Sequence, residues 1–302
     1  MNKTVILVAG PTAVGKTATA IRIAQMLGTE IISADSRQCY REISVGTAKP
    51  SAEELAAVRH YFIDSHSITE EVNAAAYESL AMGYAQDIFS RHDTLVLTGG
   101  TGLYIKAFLE GMDDMPPVPA AIRDAVRAGY AAKGISWLQE ELRSKDPAFY
   151  ATAETQNPHR LVRALEIFEA TGRSIQSFRT QTARQRSFNV IKTGLELPKE
   201  LLHANIHKRV DQMMAQGLVE EVRSVLPYRR HNALQTVGYT EIFDYLDGNA
   251  TLASAVEGIK THTRQYAKRQ MTWFRRDPDL NWFDARSPEA VETFIRGRLG
   301  IA

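Results

Sequence analysis

The chain has 302 residues, of which 44% are hydrophobic and 24% are charged, and its formal net charge is +1. This composition is typical of a globular protein with one large domain or with a domain and a smaller companion. No apolar stretch reaches the roughly 18 residues of a membrane-spanning helix, and the single cysteine, Cys39, excludes an internal disulfide and a cysteine-based zinc site, so we expect a cytoplasmic protein without membrane contact.

A phosphate-binding loop lies near the start of the chain, at residues 10–17. Its fixed positions are Gly10, Gly15, Lys16 and Thr17. The apolar run Val5–Ala9 predicts a strand before the loop, and helical spacing predicts a helix over Ala18–Leu27. In this arrangement backbone N–H groups and the helix N-terminus converge on phosphate oxygens. The alternative is a glycine turn that binds nothing, but the context favours a site for a di- or triphosphate.

The first 110 residues alternate between strand and helix patterns. Further strands are predicted at Glu30–Ala34, His60–Asp64 and Thr94–Thr98, and a helix at Ala74–Ser90. Such alternation predicts an α/β fold in which a P-loop parallel sheet is wrapped by helices. Ligands of these sheets bind outside the carboxyl ends of the strands.

The composition changes after a proline-rich segment, Asp113–Pro119. From there the apolar spacing is helical until Phe188–Leu197, which is predicted to be a strand that returns to the sheet. We therefore predict an all-helical insertion at residues 115–188 within a discontinuous core of residues 1–114 and 189–302.

Two strand ends carry polar residues that face the predicted phosphate loop. Asp35 follows the second strand, and Thr101 follows the strand that ends at Thr98. A kinase-type site usually has an aspartate at that latter strand end, and the sequence has glycines there instead. Asp35 and Thr101 have a structural alternative, because both residue types cap helices and turns.

Two stretches are strongly basic although the whole chain is nearly neutral. Residues 158–192 have a local charge of +5, and residues 258–276 have a local charge of +6. Lys260, Arg264 and Lys268 are spaced by four, which places them on one side of a helix. The stretches are either solvated helix faces or surfaces for a polyanion.

Seven motifs occur in the order and spacing of one known family. They are GPTAVGKT (10–17), SADSRQCY (33–40), GTAKP (46–50), TGGTGLY (98–104), RLVRALEIF (160–168), VGYTE (237–241) and KRQMTWFRR (268–276). Together they resemble the bacterial tRNA dimethylallyltransferases, or isopentenyl-tRNA transferases, over essentially the whole chain. The resemblance implies transfer of a dimethylallyl group from dimethylallyl diphosphate to N6 of adenosine 37, in tRNAs that read codons beginning with U, with Mg²⁺ and release of pyrophosphate.

The resemblance also implies roles around the phosphate loop. The residues that would hold the donor are Gly10, Pro11, Thr12, Ala13, Val14, Gly15, Lys16 and Thr17. Lys16 and Arg209 would neutralise the leaving pyrophosphate, and the Thr17 hydroxyl would bind Mg²⁺. Asp35 matches a general base that takes a proton from the adenine amine, and Thr101 matches the residue that orients amine and base. Without the family, Arg209 would be interpreted as an exposed helix cation.

A larger set matches family positions that contact the anticodon stem-loop of tRNA. It comprises Asp35, Ser36, Arg37, Gln38, Thr101, Arg123, His159, Arg160, Leu161, Val162, Arg163, Gln235, Thr236, Val237, Gly238, Tyr239, Thr240, Lys268, Arg269, Gln270, Met271, Thr272, Trp273, Phe274 and Arg275. Taken alone, Trp273 and Phe274 are more typical of a core than of base stacking. Two positions depart from the family: Thr240 replaces a frequent Lys or Arg, and Asn205 replaces a frequent arginine.

Three other functions remain open at this point. A small-molecule kinase would explain the phosphate loop but not the missing strand-end aspartate. A non-enzymatic RNA-binding switch would explain the basic stretches but gives Asp35 and Thr101 no task. An adenylate isopentenyltransferase would share the chemistry but needs less surface for a polynucleotide. We expect a monomer, since nothing in the sequence indicates an obligate dimer.

Overall fold

The computed structural model describes residues 3–180 and 182–301. Six strands form one sheet in the order β3-β2-β4-β1-β5-β6, and every neighbouring pair is parallel. The strands are β1 (Thr4–Ala9), β2 (Ile31–Ser33), β3 (His60–Tyr61), β4 (Thr94–Gly99), β5 (Asn189–Glu196) and β6 (Asn281–Asp284). Every residue of β1 is buried, because a central strand of a parallel sheet is covered on both faces.

Helices cover the sheet and form the rest of the molecule. In chain order they are α1 (Lys16–Leu27), α2 (Ala52–Ala57), α3 (Ala74–Phe89), α4 (Gly102–Glu110), α5 (Ala120–Lys145), α6 (Pro147–Thr152), α7 (Pro158–Thr171), α8 (Lys199–Ala215), α9 (Leu218–Ser224), α10 (Tyr239–Leu246), α11 (Leu252–Phe274) and α12 (Pro288–Leu299). Short 3₁₀ helices lie at Ile175–Phe178, Leu226–Tyr228 and Asn232–Leu234. Among the described residues, no helix combines the length and the apolar character needed to cross a membrane.

The predicted fold class, an α/β protein with a P-loop parallel sheet, is confirmed. The segment at Phe188–Leu197 does return to the sheet, where β5 pairs in parallel with β1. The strand predicted at His60–Asp64 is only two residues long, because Phe62 and Asp64 adopt φ of 64° and 51° and end the extended backbone. Strand β6 was not predicted, because its 4 residues are too few to give a clear pattern.

The described chain divides into two compact units, and the smaller spans Met112–Arg184. It contains α5 to α7 and no strand among its described residues. Its core is formed by Val118, Val126, Leu138, Leu142, Phe149, Leu161, Ala164, Leu165, Ile167 and Ile175. Gly134, with φ of 73°, kinks α5 within this unit.

The boundaries of this unit differ from those expected at 115 and 188. Residues 185–188 belong to the sheet unit, where Arg186 Nη2 lies 2.8 Å from Glu78 and Phe188 stacks on Phe108. At the other end, Asp114 forms an ion pair with Arg184 inside the helical unit. The change in composition lies near these boundaries, but tertiary contacts determine them.

Candidate active site

A cavity of about 360 Å³ opens at the carboxyl ends of β1, β2 and β4. Its lining includes the phosphate loop, Asp35, the Gly99–Gly100 turn and Arg209. All of these residues belong to the sheet unit. The structure therefore brings together residues that lie almost 200 positions apart in the sequence, as the general position of ligand sites in parallel sheets predicts.

The phosphate loop owes its path to its glycines. Gly10 has φ of 151°, and a Cβ there would lie 2.7 Å from the carbonyl oxygen of Leu195. Gly15 has φ of 104° and immediately precedes α1, with no side-chain cap on that helix. The first N–H groups of α1 thus point outward without a capping side chain, which is the usual arrangement of an anion site.

Two cations lie against the phosphate loop. Lys16 Nζ donates to the carbonyl oxygen of Pro11 at 2.7 Å. Burial lowers the pKa of Lys16 to about 7; the nearby Arg209 guanidinium also lowers it, and Asp35 opposes the shift. Arg209 Nη1 donates to Thr12 Oγ1 at 3.3 Å. Burial also lowers the pKa of Arg209, but an arginine remains charged at neutral pH. Arg209 is therefore not the exposed helix cation that its sequence context alone suggests.

Asp35 both stabilises a turn and lines the cavity. Its Oδ1 accepts the backbone N–H groups of Arg37 at 2.8 Å and of Gln38 at 3.3 Å. The capping alternative raised from the sequence is thus correct for one carboxylate oxygen. The same side chain lines the cavity, and the turn holds it there in a defined orientation.

Thr101 immediately precedes α4 but makes no side-chain capping bond to that helix. Its Oγ1 accepts the backbone N–H of Ser36 at 3.1 Å and lies 3.4 Å from Ser36 Oγ. These bonds connect the end of β4 to the Asp35 turn. The structure therefore does not bear out the helix-capping alternative for Thr101.

Tyr266, on α11, is a site residue that the sequence analysis did not identify. It lines the cavity, and its side chain lies near that of Thr101. Burial raises the pKa of Tyr266 to about 12, and the nearby carboxylate of Asp35 adds to the shift. The hydroxyl thus keeps its proton at neutral pH. The only sequence signal for Tyr266 is its spacing from Gln270, one turn away, which places both residues on the same side of α11.

Gln270 lies inside the protein, although the resemblance placed it on the RNA surface. Its Oε1 accepts the N–H of Thr12 at 2.8 Å, and its Nε2 donates to the carbonyl of Gly100 at 2.9 Å. The glutamine thus ties the phosphate loop to the end of β4. Thr12 N–H is engaged by this bond and is not among the free phosphate donors of the loop.

Four more residues that the resemblance assigns to RNA contact are interior in this structure. Leu161 and Tyr239 are fully buried, and Phe274 is 5% exposed. Leu161 belongs to the core of the helical unit, and the low exposure of Phe274 agrees with its interpretation as a core residue. Trp273, by contrast, is 38% exposed and packs against Gly102, where a Cβ would lie 2.1 Å from the indole nitrogen. Gly238 is also buried, with its N–H bonded to Glu241.

Exposed side chains remain on α7 and α11, each within its own unit. They are His159 and Arg160 on α7, and Lys268, Arg269, Thr272 and Trp273 on α11, with Arg275 directly after that helix. Further residues that the resemblance assigns to RNA contact are partly buried or lie on other elements: Ser36, Arg37, Gln38, Arg123, Val162, Arg163, Thr236, Val237, Thr240 and Met271, with Gln235 exposed before α10.

The basic stretches are less positive than a count along the chain suggests. Arg160 pairs with Glu154 at 3.4 Å, and Lys192 pairs with Asp277 at 2.8 Å. Lys260 pairs with Asp211 at 2.9 Å, although it belongs to the predicted basic side of α11. The acids lie outside the counted windows, and only folding brings them into contact.

The chain resembles known proteins in both its sequence and its fold. The profile of the IPP transferase family matches residues 38–277. The tRNA dimethylallyltransferase of Cytophaga hutchinsonii is 42% identical over 299 residues, which is 99% of this chain and 98% of that protein. Among solved structures, the tRNA isopentenylpyrophosphate transferase of Bacillus halodurans is 36% identical with a TM-score of 0.72, over 99% of this chain and 97% of that one. A eukaryotic dimethylallyltransferase acting on tRNA is 26% identical with a TM-score of 0.77, over 94% of this chain and 74% of that one.

Proposed function

This chain belongs to the IPP transferase family, and we propose from this that it is a tRNA dimethylallyltransferase. It transfers the dimethylallyl group of dimethylallyl diphosphate to N6 of adenosine 37, in tRNAs that read codons beginning with U. The products are N6-(dimethylallyl)adenosine and pyrophosphate.

One observation supports this chemistry most directly. A single cavity contains the phosphate loop with its two cations and, after the end of β2, Asp35. A pyrophosphate leaving group needs the phosphate loop and its cations. A nucleophile that must lose a proton needs a base such as the Asp35 carboxylate. A kinase would instead place a carboxylate after β4, where this cavity has Gly99 and Gly100.

The reaction breaks the bond between C1 of the dimethylallyl group and a diphosphate oxygen, and it forms a bond from C1 to N6. Lys16, Arg209 and the N–H groups at the start of α1 stabilise the negative charge that develops on the pyrophosphate. Asp35 accepts the proton that N6 releases. Thr101 and Tyr266 lie near each other and near Asp35, and they orient the adenine amine.

A magnesium ion fits the hydroxyl of Thr17, which lines the cavity at the start of α1. Among the described residues, no group of three or more His, Cys, Asp or Glu side chains could hold a metal. The remaining ligands would therefore be the oxygens of the diphosphate and water, as is usual for Mg²⁺ at phosphate loops. The ion would supply charge neutralisation on the leaving group.

The tRNA would contact the exposed residues of α7 and α11 described above. Arg160→Ala with Arg163→Ala should weaken tRNA binding and flatten its salt dependence. The variant would make fewer phosphate contacts, and its binding would therefore release fewer counterions. The effect should be smaller than for two unpaired cations, since Arg160 and Arg163 already pair with Glu154 and Glu166. An unchanged affinity would remove α7 from the RNA surface.

The deciding experiment incubates the protein and Mg²⁺ with labelled dimethylallyl diphosphate and either an anticodon stem-loop containing A37 or AMP. We expect label on the stem-loop only. Label on AMP alone would identify an adenylate isopentenyltransferase instead. The mass of the active species, measured by light scattering, tests the further expectation that the enzyme acts as a monomer.

A further inference from the structure

The loop of residues 44–50, between β2 and α2, is held by a carboxylate that lies far away in the sequence. Glu221, on α9, accepts three successive backbone N–H groups, from Ser44 at 2.7 Å, Val45 at 2.8 Å and Gly46 at 2.9 Å. Its Oε1 also accepts the hydroxyl of Tyr239 at 2.6 Å. Charge-assisted bonds of this kind are about twice as strong as neutral ones.

The packing around this carboxylate is tight. Tyr239 is fully buried, and its ring lies so close to Gly46 that a Cβ there would be 2.6 Å from a ring carbon. Burial raises the pKa of Tyr239 well above its ordinary value, and the adjacent Glu221 adds to this. The tyrosine therefore remains a proton donor to the carboxylate, and the loop has no room to shift toward α10.

The opposite side of the loop is also fixed. Gln38 Nε2 donates to the carbonyl oxygens of Thr47 at 3.2 Å and Ala48 at 3.0 Å. Ala48 has φ of 47°, a conformation that an alanine adopts only when its surroundings require it. Lys49 Nζ donates to the carbonyl of Tyr40 at 2.6 Å. Contacts from both sides thus define the conformation of the loop.

This loop contributes three apolar residues to the cavity wall, beside the polar Thr47 and Lys49. Outside the phosphate loop and α1, the cavity is lined by the apolar or aromatic side chains of Val45, Ala48, Pro50, Ile63, Met213 and Tyr266. Three of these six residues belong to the 44–50 loop. If the phosphate loop holds a pyrophosphate, the hydrocarbon attached to it must contact apolar residues of this kind.

We propose that Glu221 is a positioning residue for the prenyl donor: its carboxylate sets the conformation of the 44–50 loop so that Val45, Ala48 and Pro50 pack against the dimethylallyl group. The inference rests on the proposed function and deepens it. It concerns affinity for the hydrocarbon part of the donor and leaves the pyrophosphate end to the phosphate loop.

A carboxylate suits this position better than an amide does. Glu221 offers two acceptor oxygens to four donors. A glutamine keeps one acceptor oxygen and places an NH₂ group against the donors that the other oxygen served. Glu221→Gln is therefore a nearly isosteric change that breaks some of these bonds without leaving a void.

The experiment compares Glu221→Gln with Tyr239→Phe and with a matched control, Glu220→Gln, which makes the same substitution at the adjacent exposed residue. For each variant, the Kd of dimethylallyl diphosphate and the Kd of pyrophosphate are measured by titration calorimetry with Mg²⁺, and the KM of both substrates by steady-state kinetics. We expect Glu221→Gln to raise the Kd and KM of the donor about tenfold and Tyr239→Phe about threefold. The Kd of pyrophosphate and the KM of tRNA should stay within about twofold, and Glu220→Gln should match the wild type.

An equal loss of donor and pyrophosphate affinity in Glu221→Gln would overturn the proposal, because it would show general damage to the site. A donor KM in Glu221→Gln equal to the donor KM in Glu220→Gln would also overturn the proposal. If Glu221→Gln does not fold, the affinities for the donor and for pyrophosphate are measured in Tyr239→Phe instead. Loss of donor affinity alone would then support the proposal, and equal loss of both would overturn it. Wild-type protein that prenylates no RNA would count against the proposed function, while the ratio of the two affinities would still decide the role of Glu221.

Discussion

The phosphate loop and the 44–50 loop line the same cavity, but their conformations have different origins. The phosphate loop is shaped mainly by its own residues, through the positive φ of Gly10 and Gly15 and the helix that follows. The 44–50 loop is shaped by partners elsewhere, above all Glu221, which is 175 positions or more away from it. The glycine pattern of the phosphate loop predicts its conformation by itself, whereas no local pattern in the 44–50 loop indicates the distant carboxylate that holds it.

The two loops also differ in the functions proposed for them. In the proposed reaction, the phosphate loop and Asp35 provide the charges that the chemical step needs, and the 44–50 loop provides the shape of the donor site. Changes near the phosphate loop should therefore reduce kcat or phosphate affinity, and changes near the 44–50 loop should raise the donor KM.

The largest effect is expected from Asp35→Asn. The asparagine keeps an oxygen for the N–H groups of Arg37 and Gln38, so the turn should survive. Loss of the base should lower kcat by roughly 10²- to 10⁴-fold, while the Kd of tRNA stays within about twofold. Single-turnover prenylation and filter binding measure the two quantities, with Asp279→Asn, an exposed aspartate, as control. Turnover near that of the control would refute a general-base role.

Gly46→Ala tests the shape of the second loop. A methyl group there would lie 2.6 Å from the ring of Tyr239, so the loop or the ring must move. We expect a loss of about 1–3 kcal/mol in the free energy of unfolding and a donor KM raised about tenfold. Urea denaturation and steady-state kinetics provide these values. Gly83→Ala is the control, since a Cβ at Gly83 meets no atom within 4 Å.

An unchanged donor KM in Gly46→Ala would contradict the role proposed for the 44–50 loop, because the loop would then have no influence on the donor. A raised KM for tRNA with an unchanged donor KM would assign the loop to the nucleotide side of the cavity instead.

The sequence predicted those parts of the molecule whose signal is local. Buried β-branched runs predicted β1, β4 and β5, since a strand covered on both faces needs such residues. The glycines and Lys16 predicted the phosphate loop. Asp35 emerged from its place at a strand end, which a parallel sheet aligns with the loop. The resemblance then supplied Arg209, whose own neighbourhood in the sequence predicts only an exposed cation.

The remaining parts depend on contacts that no local pattern reveals. Tyr239 lies in a motif that the resemblance assigned to tRNA, yet its ring is buried against Gly46 and its hydroxyl binds Glu221. Gln270 stands between charged and exposed residues but points inward to Thr12. In both cases the functional partner lies more than 15 positions away, so spacing carries no information about it.

The pH dependence of donor binding tests the charge of Lys16 in the phosphate loop. Burial lowers the pKa of Lys16 to about 7, so in the free protein this ammonium loses its proton as the pH rises through that value. A bound diphosphate favours the charged form and raises the pKa, so binding above pH 7 takes up a proton. Donor affinity should therefore be greatest below about pH 7 and fall by up to about tenfold per pH unit above it.

Calorimetry in two buffers of different ionisation enthalpy measures this proton uptake between about pH 6 and pH 9. Lys16→Arg is the control, because arginine remains charged throughout this range. The variant should lose the fall in affinity, and what remains reports the ionisation of the donor itself. The same slope in both proteins would mean that Lys16 is already charged in the free site. Glu221→Gln should keep the wild-type slope, since its loop carries no part of the charge.

The smallest effect is expected from Asn205→Ala, which asks how far the phosphate loop depends on outside support. Asn205 Nδ2 donates to the carbonyl of Ala13 at 3.2 Å, and Ala13 has the strained φ of 63°. One neutral bond at an exposed position contributes about 0.5–1 kcal/mol, so the donor Kd should rise only about two- to threefold. Asn249→Ala, at another exposed asparagine, is the matched control. A tenfold or greater rise in the donor Kd would show that the phosphate loop, like the 44–50 loop, is held in place by residues outside it. The two loops would then differ only in degree, because the glycines alone would not suffice to form the phosphate site.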